Sequence, residues 1–459
     1  MVKTLAGAAA AARAGEVSPT ELVEQALARY ELLGEQLNCY RTPLHESSLA
    51  RARELEALPA AERASLSLYG VPVSVKDCIA TAGIPTSIGS PILRDFRPLE
   101  NARAVDQLLA AGAIVVAKDN MYDFAYCGPN AAFGDAVNPW SGSQTTGGSS
   151  SGSASAVASE ISLGALGTDG GGSIRIPSAY CGVVGLKPTF DEVSGVGELP
   201  CQGSLSCVGP IARTVEDVRL LFRAIRARKP PAGDEAGQPG LAGVRIGIPS
   251  NLDAASAEVA RCFDAACSSL AAEGAILSQT APLNFAAARA AMWVITGVEY
   301  AEALRPLLRS RPGDFHPLTR TLLERAEYIP ATEYVHAQRV RVALCREMTG
   351  IMKQVDVLLL PTVPTAAYPK PAEIGSPDEA ADHPVNLSTL YTALFNVTGQ
   401  PAVTVPCGLT DAALPVGLQV VARPHAEETA LRVALAYESA NPSASTAPPL
   451  SVSSLGGWG

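Results

Sequence analysis

Gly147-Gly148-Ser149-Ser150-Ser151-Gly152-Ser153-Ala154 and Gly167-Thr168-Asp169-Gly170-Gly171-Gly172-Ser173-Ile174-Arg175 are the two stretches that decide how this chain is read. The first lies within, and the second closes, a region from Asn138 to Gly172 whose composition shifts sharply to Gly and Ser. Such a composition by itself describes a flexible linker. Here the region is interrupted by Ala154 to Leu166, which is apolar and fits either a helix or a buried strand. A linker does not re-enter a core midway, so both clusters are assigned to a folded site. Consecutive residues without Cβ atoms let backbone N–H groups converge on one cavity and approach a substrate oxygen closely. The same feature suits a phosphate cradle. Neither cluster fits GxxxxGK[ST] or GxGxxG in a strand–helix setting, and phosphate binding is set aside.

Outward from the clusters, the pattern is that of an α/β protein. Val71-Pro72-Val73-Ser74-Val75-Lys76-Asp77 reads as a short buried strand ending in two charges. Arg103 to Ala111 reads as helix and Ala113 to Lys118 as strand. Helix, glycine and apolar strand in alternation mark an α/β sheet. Ser18-Pro19-Thr20-Glu21 is a capping box with Pro at the first helical position. A second helix is expected near 46–64, further strands at Val244–Ile248, Asp356–Leu360 and Gly417–Ala422, and a surface loop at Lys229–Gly240. Residues 285–355 read as mostly helical, with Val340, Leu344, Met348, Ile351 and Val355 forming one core-facing stripe. The Ser-, Pro- and Gly-rich end from Asn441 to Gly459 is expected to be a mobile tail.

Composition limits the partners. The 459 residues are 47% hydrophobic and 17% charged, enough apolar material for a large core. A net charge of −10 argues against nucleic acid or an anionic membrane as partner. No run of 18 apolar residues predicts a transmembrane helix. Met1 to Ala12 is a poor signal peptide, since alanine is weakly hydrophobic and Arg13 and Glu16 follow at once. None of the ten cysteines forms a CxxC pair, so no zinc site, other metal or redox dithiol is predicted. Reduced thiols and a cytoplasmic location are the expectation.

A nucleophilic Ser needs a base. None of the five histidines, His45, His316, His336, His383 and His425, lies in a motif with a Gly-framed Ser. A neutral, desolvated lysine is the other option. Lys76, at the end of an apolar strand, is the best-placed candidate, and Lys187 in Leu186-Lys187-Pro188-Thr189 is the second.

These residues together resemble the amidase signature family, which includes fatty-acid amide hydrolases, bacterial amidases and the amidase subunit of glutamyl-tRNA amidotransferase. The likeness covers about residues 15–435 and is densest from Gly70 to Thr189. Gly70 to Asp77, Gly147 to Ser150, Gly171 to Arg175, Cys181 to Thr189 and Leu414 to Gln419 match its motifs in order. The resemblance implies a mixed central β-sheet covered by helices on both faces, as one domain over residues 1–440. Its signature core would span about 70–190. The helical region at about 285–355 would form an apolar lid around Trp293, Tyr300 and Tyr328, or ordinary core.

The resemblance implies Ser173 as nucleophile, Ser149 in a cis peptide as proton shuttle and Lys76 as base. Gly170, Gly171, Gly172 and Ser173 would supply the oxyanion hole. Ser150 and Asp169 would anchor the glycine loop, and Arg175 would act as a brace pairing with Asp169 in preference to a substrate contact. No cofactor is implied. The expected activity is hydrolysis of neutral, partly apolar amides, with carbamates (urethanes) and esters within reach, by a monomer or homodimer acting through an acyl-enzyme. The alternative is the amidase subunit of an amidotransferase complex. The chain departs from the family where Ser151 replaces a Gly, where Gly170 replaces a common Thr, and where Ser206 and Cys207 stand in a segment that often holds Asp. It departs again where Phe190-Asp191-Glu192 replaces a common Gly-Arg pair. If that last segment borders the cleft, Asp191 and Glu192 disfavour an anionic substrate.

Overall fold

The computed structural model describes residues 3–200, 203–227, 240–370 and 387–454. Eleven strands form one sheet: β1 Tyr40–Pro43, β2 Pro72–Lys76, β3 Ile114–Asp119, β4 Gly164–Asp169, β5 Val184–Lys187, β6 Cys207–Ala212, β7 Arg245–Pro249, β8 Ile276–Thr280, β9 Val357–Pro361, β10 Ala402–Leu409 and β11 Pro415–Ala422. Their order is β1-β3-β2-β4-β6-β5-β10-β11-β9-β7-β8. The sheet is mixed. β3, β2 and β4 run parallel, as do β9, β7 and β8, and the strands between pair antiparallel. Every residue of β2, β3, β4, β5, β6, β9 and β11 is buried. Because successive side chains point to opposite faces, both faces of these strands are covered.

Most of the expected elements lie where the sequence pattern puts them. Ser18 caps the Pro19–Leu37 helix in the reciprocal manner expected: its hydroxyl accepts from Glu21 N–H, and its own N–H donates to the Glu21 carboxylate. The 46–64 helix is two helices, His45–Glu56 and Ala60–Ser65, because Pro59 has no N–H to continue the first. Ala154 to Leu166 is neither all helix nor all strand. The Ser151–Ala158 helix ends, Glu160 turns the chain at φ 66°, and β4 begins at Gly164.

The expected mobile tail is tied down as far as Ser454. The N–H groups of Leu450, Val452 and Ser453 donate to Pro139 O, Ser159 O and the Glu160 carboxylate. Val452 is buried among Leu33, Leu37, Tyr40 and Ala156. Two apolar residues in this polar stretch find a hydrophobic cluster, and that outweighs its composition. The Lys229–Gly240 loop lies outside the described residues except at Gly240, and so does His383. No helix among the described residues is long and apolar enough to cross a membrane.

Candidate active site

The parallel strands β2 and β4 lie side by side, and both carry functional groups at their C-terminal ends. Lys76 ends β2 and is fully buried. Its Nζ donates to Ser149 Oγ at 2.7 Å and to Thr168 Oγ1 at 2.8 Å. Burial drives the Lys76 ammonium below the ordinary lysine range, against the opposing pull of Cys78, Glu198, Asp169 and Asp119. Its closest partners are hydroxyls, which accept hydrogen bonds from lysine without neutralising it. The arrangement can therefore move a proton between Ser149 and an uncharged Lys76.

Ser149 follows a cis peptide bond, Gly148–Ser149, as the resemblance implies. The Ser151–Ala158 helix begins two residues later. Ser150 holds this turn to the second cluster: its N–H donates to Ser173 O at 3.2 Å and its Oγ to Thr168 O at 3.3 Å. Gly167 is a close approach, since a Cβ there would lie 2.9 Å from Ser150 Oγ.

Beyond β4 the glycine loop wraps around Asp169. This buried carboxylate accepts from the N–H groups of Gly172 (2.7 Å) and Ile174 (3.2 Å), from Arg175 Nε and Nη2 (2.9 Å each) and from Asn396 Nδ2 (2.9 Å). Burial alone would raise its pKa. The Arg175 guanidinium and the hydrogen bonds outweigh burial and hold it well below the usual carboxylate range. Arg175 also donates to Thr392 O, Gln419 Oε1 and Asn396 Oδ1. All five guanidinium N–H groups are thus taken by protein acceptors, which makes Arg175 a brace and leaves no donor for a substrate.

Gly172 corrects the expected oxyanion hole. Its N–H is committed to Asp169, so it does not point at substrate. Its own conformation explains the glycine: φ is 131°, and a Cβ would lie 2.5 Å from Thr392 Oγ1. Among the described residues the N–H groups of Gly170, Gly171 and Ser173 have no protein acceptor. A Cβ on Gly170 would meet nothing closer than 3.8 Å, so that residue leaves room beside Ser206.

Ser149, Ser173, Gly170 and Gly171 all line one cavity of about 460 Å³. Its other walls are mostly apolar and aromatic, with Tyr122, Tyr126, Met292, Trp293, Tyr300 and Leu322 among them. Tyr126 stacks on Tyr300 and meets Trp293 edge-on. The Phe285–Ser310 and Pro317–Ala326 helices supply much of this wall. Of the three aromatic residues read as lid or ordinary core, Trp293 and Tyr300 line the cavity, whereas Tyr328 is exposed at 85% and does not. Leu344, Met348, Ile351 and Val355 of the expected stripe are buried in core, with Val340 packed against them. Arg325 is the one charged side chain among the described lining residues.

Several expected candidates lie elsewhere. Lys187 is buried but donates to Pro188 O, lies 3.8 Å from Cys207 Sγ and does not line the cavity. None of the four described histidines lines it. The 190–192 segment does not border the cleft. Glu192 is buried in an ion pair with Arg226 and meets His425 Nδ1, each at 3.0 Å, and Asp191 faces solvent. The like-charge argument against anionic substrates therefore falls. Thr168 and Asn396 are site residues that sequence reasoning misses. Thr168 stands inside the quoted glycine cluster, whereas Asn396 carries no local signal.

A sheet of this order with serines and a buried lysine at one end of β2 and β4 defines an amidase-type hydrolase. The chain belongs to the amidase signature family: the family model described as Amidase matches residues 21–431. It is 35% identical over 472 residues to a Glutamyl-tRNA(Gln) amidotransferase subunit from Chloroflexus aggregans, covering 95% of this chain and 96% of that one. Its fold is similar to a solved amidase, with TM-score 0.84 and 30% identity over 95% of this chain and 99% of the other. It is also similar to the crystal structure of the corresponding Glutamyl-tRNA(Gln) amidotransferase subunit from Thermotoga maritima, with TM-score 0.73 and 26% identity over 92% and 91%.

Proposed function

We propose that this amidase-family enzyme hydrolyses the C–N bond of neutral, partly apolar amides through an acyl-enzyme, with Ser173 as nucleophile, Ser149 as proton shuttle and Lys76 as base. The observation that carries this reading is the 2.7 Å contact between buried Lys76 and Ser149 at the floor of a largely apolar cavity. Neutral Lys76 takes the Ser149 proton as Ser149 takes that of Ser173, and Ser173 Oγ attacks the carbonyl carbon. The N–H groups of Gly170, Gly171 and Ser173 stabilise the oxyanion. Ser149 returns a proton to the leaving nitrogen, and water releases the acyl group. A carbamate presents the same carbonyl to the same donors, so urethanes fall within this reading. So do esters. A cytoplasmic location belongs to the same proposal.

A second reading has its own support. The relatives by sequence back an amidase subunit of an amidotransferase complex better than a free-standing hydrolase. Arg325 at the cavity is a cation that a carboxylate-bearing amide would meet. The aromatic lining and the higher TM-score to a solved amidase support the free-standing reading. The test compares kcat/KM for a neutral amide, a matched carbamate and a carboxylate-bearing amide of similar size, on the purified chain alone. The neutral compounds are expected to lead by tenfold or more, which is about 1.4 kcal/mol of transition-state preference. A tenfold lead for the carboxylate-bearing amide would favour the amidotransferase reading.

The pH dependence follows from the same lysine. Only its neutral form is a base, and burial lowers its pKa. Activity is therefore expected to rise with pH along a single limb as Lys76 loses its proton, and to be high by mildly alkaline pH. A profile flat from acid to alkaline conditions would contradict a lysine base.

A further inference from the structure

Next to the Lys76 site lies a second buried group that the mechanism above does not use. Residues 197–199 run beside 78–80, directly after β2. Glu198 bridges Ile79, Leu199 N–H donates to Cys78 O, and Ala80 N–H donates to Gly197 O. This pairing brings the Glu198 side chain into the same interior as Lys76. Its Oε1 accepts from Ser206 Oγ, and Ser206 lines the cavity opposite Gly170. Its Oε2 is buried with no hydrogen-bond partner among the described residues.

The neighbouring carboxylates are differently placed. Asp169 is neutralised by the two-point contact with Arg175. Asp77 and Asp119 sit in the field of buried Lys118. Glu198 has only a serine hydroxyl. The titratable groups that face it are Lys76, Cys78, Asp169 and Cys207. Of these, Lys76 is the only cation. A buried carboxylate with one hydroxyl partner and an ammonium nearby is the arrangement in which each group's proton depends on the other's.

We propose that Glu198, held by Ser206, is a positioning residue that sets the pH at which Lys76 gives up its proton and becomes a base. With Glu198 ionised, the ammonium form of Lys76 is favoured. With Glu198 protonated, neutral Lys76 is reached at lower pH. Burial pushes the Glu198 carboxyl above the ordinary carboxylate range, which brings its titration closer to that of the lysine beside it. The inference rests on Lys76 acting as the base.

The test is the pH profile of kcat/KM on a neutral amide for the parent, Glu198→Gln, Ser206→Ala and Lys76→Ala. Glu198→Gln keeps an acceptor for Ser206 but carries no charge. Its ascending limb is expected to move to lower pH by about one unit or more, the scale of one nearby opposite charge. Ser206→Ala removes the donor that stabilises the anion, and its limb is expected to move the same way by less. A role confined to packing would lower the plateau and leave the midpoint in place. If both variants keep the parental midpoint while Lys76→Ala abolishes the limb, the Glu198 proposal is wrong and the lysine base stands. If Lys76→Ala keeps the limb, the lysine reading itself fails. Should Glu198→Gln not fold, the Ser206→Ala midpoint alone decides.

Discussion

Replacing Ser173 by alanine is expected to lower kcat/KM by at least about 10⁴-fold, the scale seen when a covalent nucleophile is removed. The backbone around it should survive. Ser150 N–H is held by the Ser173 carbonyl, and Asp169 grips Gly172, Ile174 and Arg175 without using the Ser173 side chain. A thermal melt close to the parent's, alongside the kinetic loss, would assign the effect to chemistry. Near-full turnover of any good amide substrate by this variant would remove Ser173 from the mechanism.

The second large effect is expected at Lys76. Lys76→Met fills most of the volume without a charge, and it should reduce kcat/KM by about 10² to 10⁴, the range for a positioned general base. It leaves Ser149 Oγ and Thr168 Oγ1 without the donor they share. The ascending pH limb should disappear with the lysine. The parental limb persisting on reduced activity would point to another base.

Much of this site is legible because its chemistry is local in sequence. A glycine run before a serine, a lysine closing an apolar strand and an aspartate beside an arginine are each visible in a few residues. Asp169 and Arg175 stand six positions apart, and the structure pairs them. What is illegible depends on distant partners. Asn396 reaches Asp169 across 227 positions, and nothing in Ala393–Val397 announces it. Whether Glu192 borders the cleft cannot be read from its own segment, because its partner, Arg226, lies 34 positions on. The family resemblance assigns Gly172 to the oxyanion hole, yet two neighbouring amides of one loop can face opposite ways. Only the loop's wrap around Asp169 decides which faces the cavity. The α/β class follows from strand and helix periodicity. The strand order, with β6 inserted between β4 and β5, does not.

The cavity draws its two halves from different parts of the chain. The serines, the lysine and the amides proposed to hold the oxyanion come from residues 76 to 173, on sheet strands and the loops they brace. Much of the apolar wall comes from one continuous run, Met292 to Ile329. Heredity can therefore edit the two halves separately. Substitutions confined to the wall are expected to change which substrates fit while leaving the serines and the lysine in place. In laboratory evolution the same partition makes 292–329 the segment to randomise, with the remainder of the chain held as a fixed template.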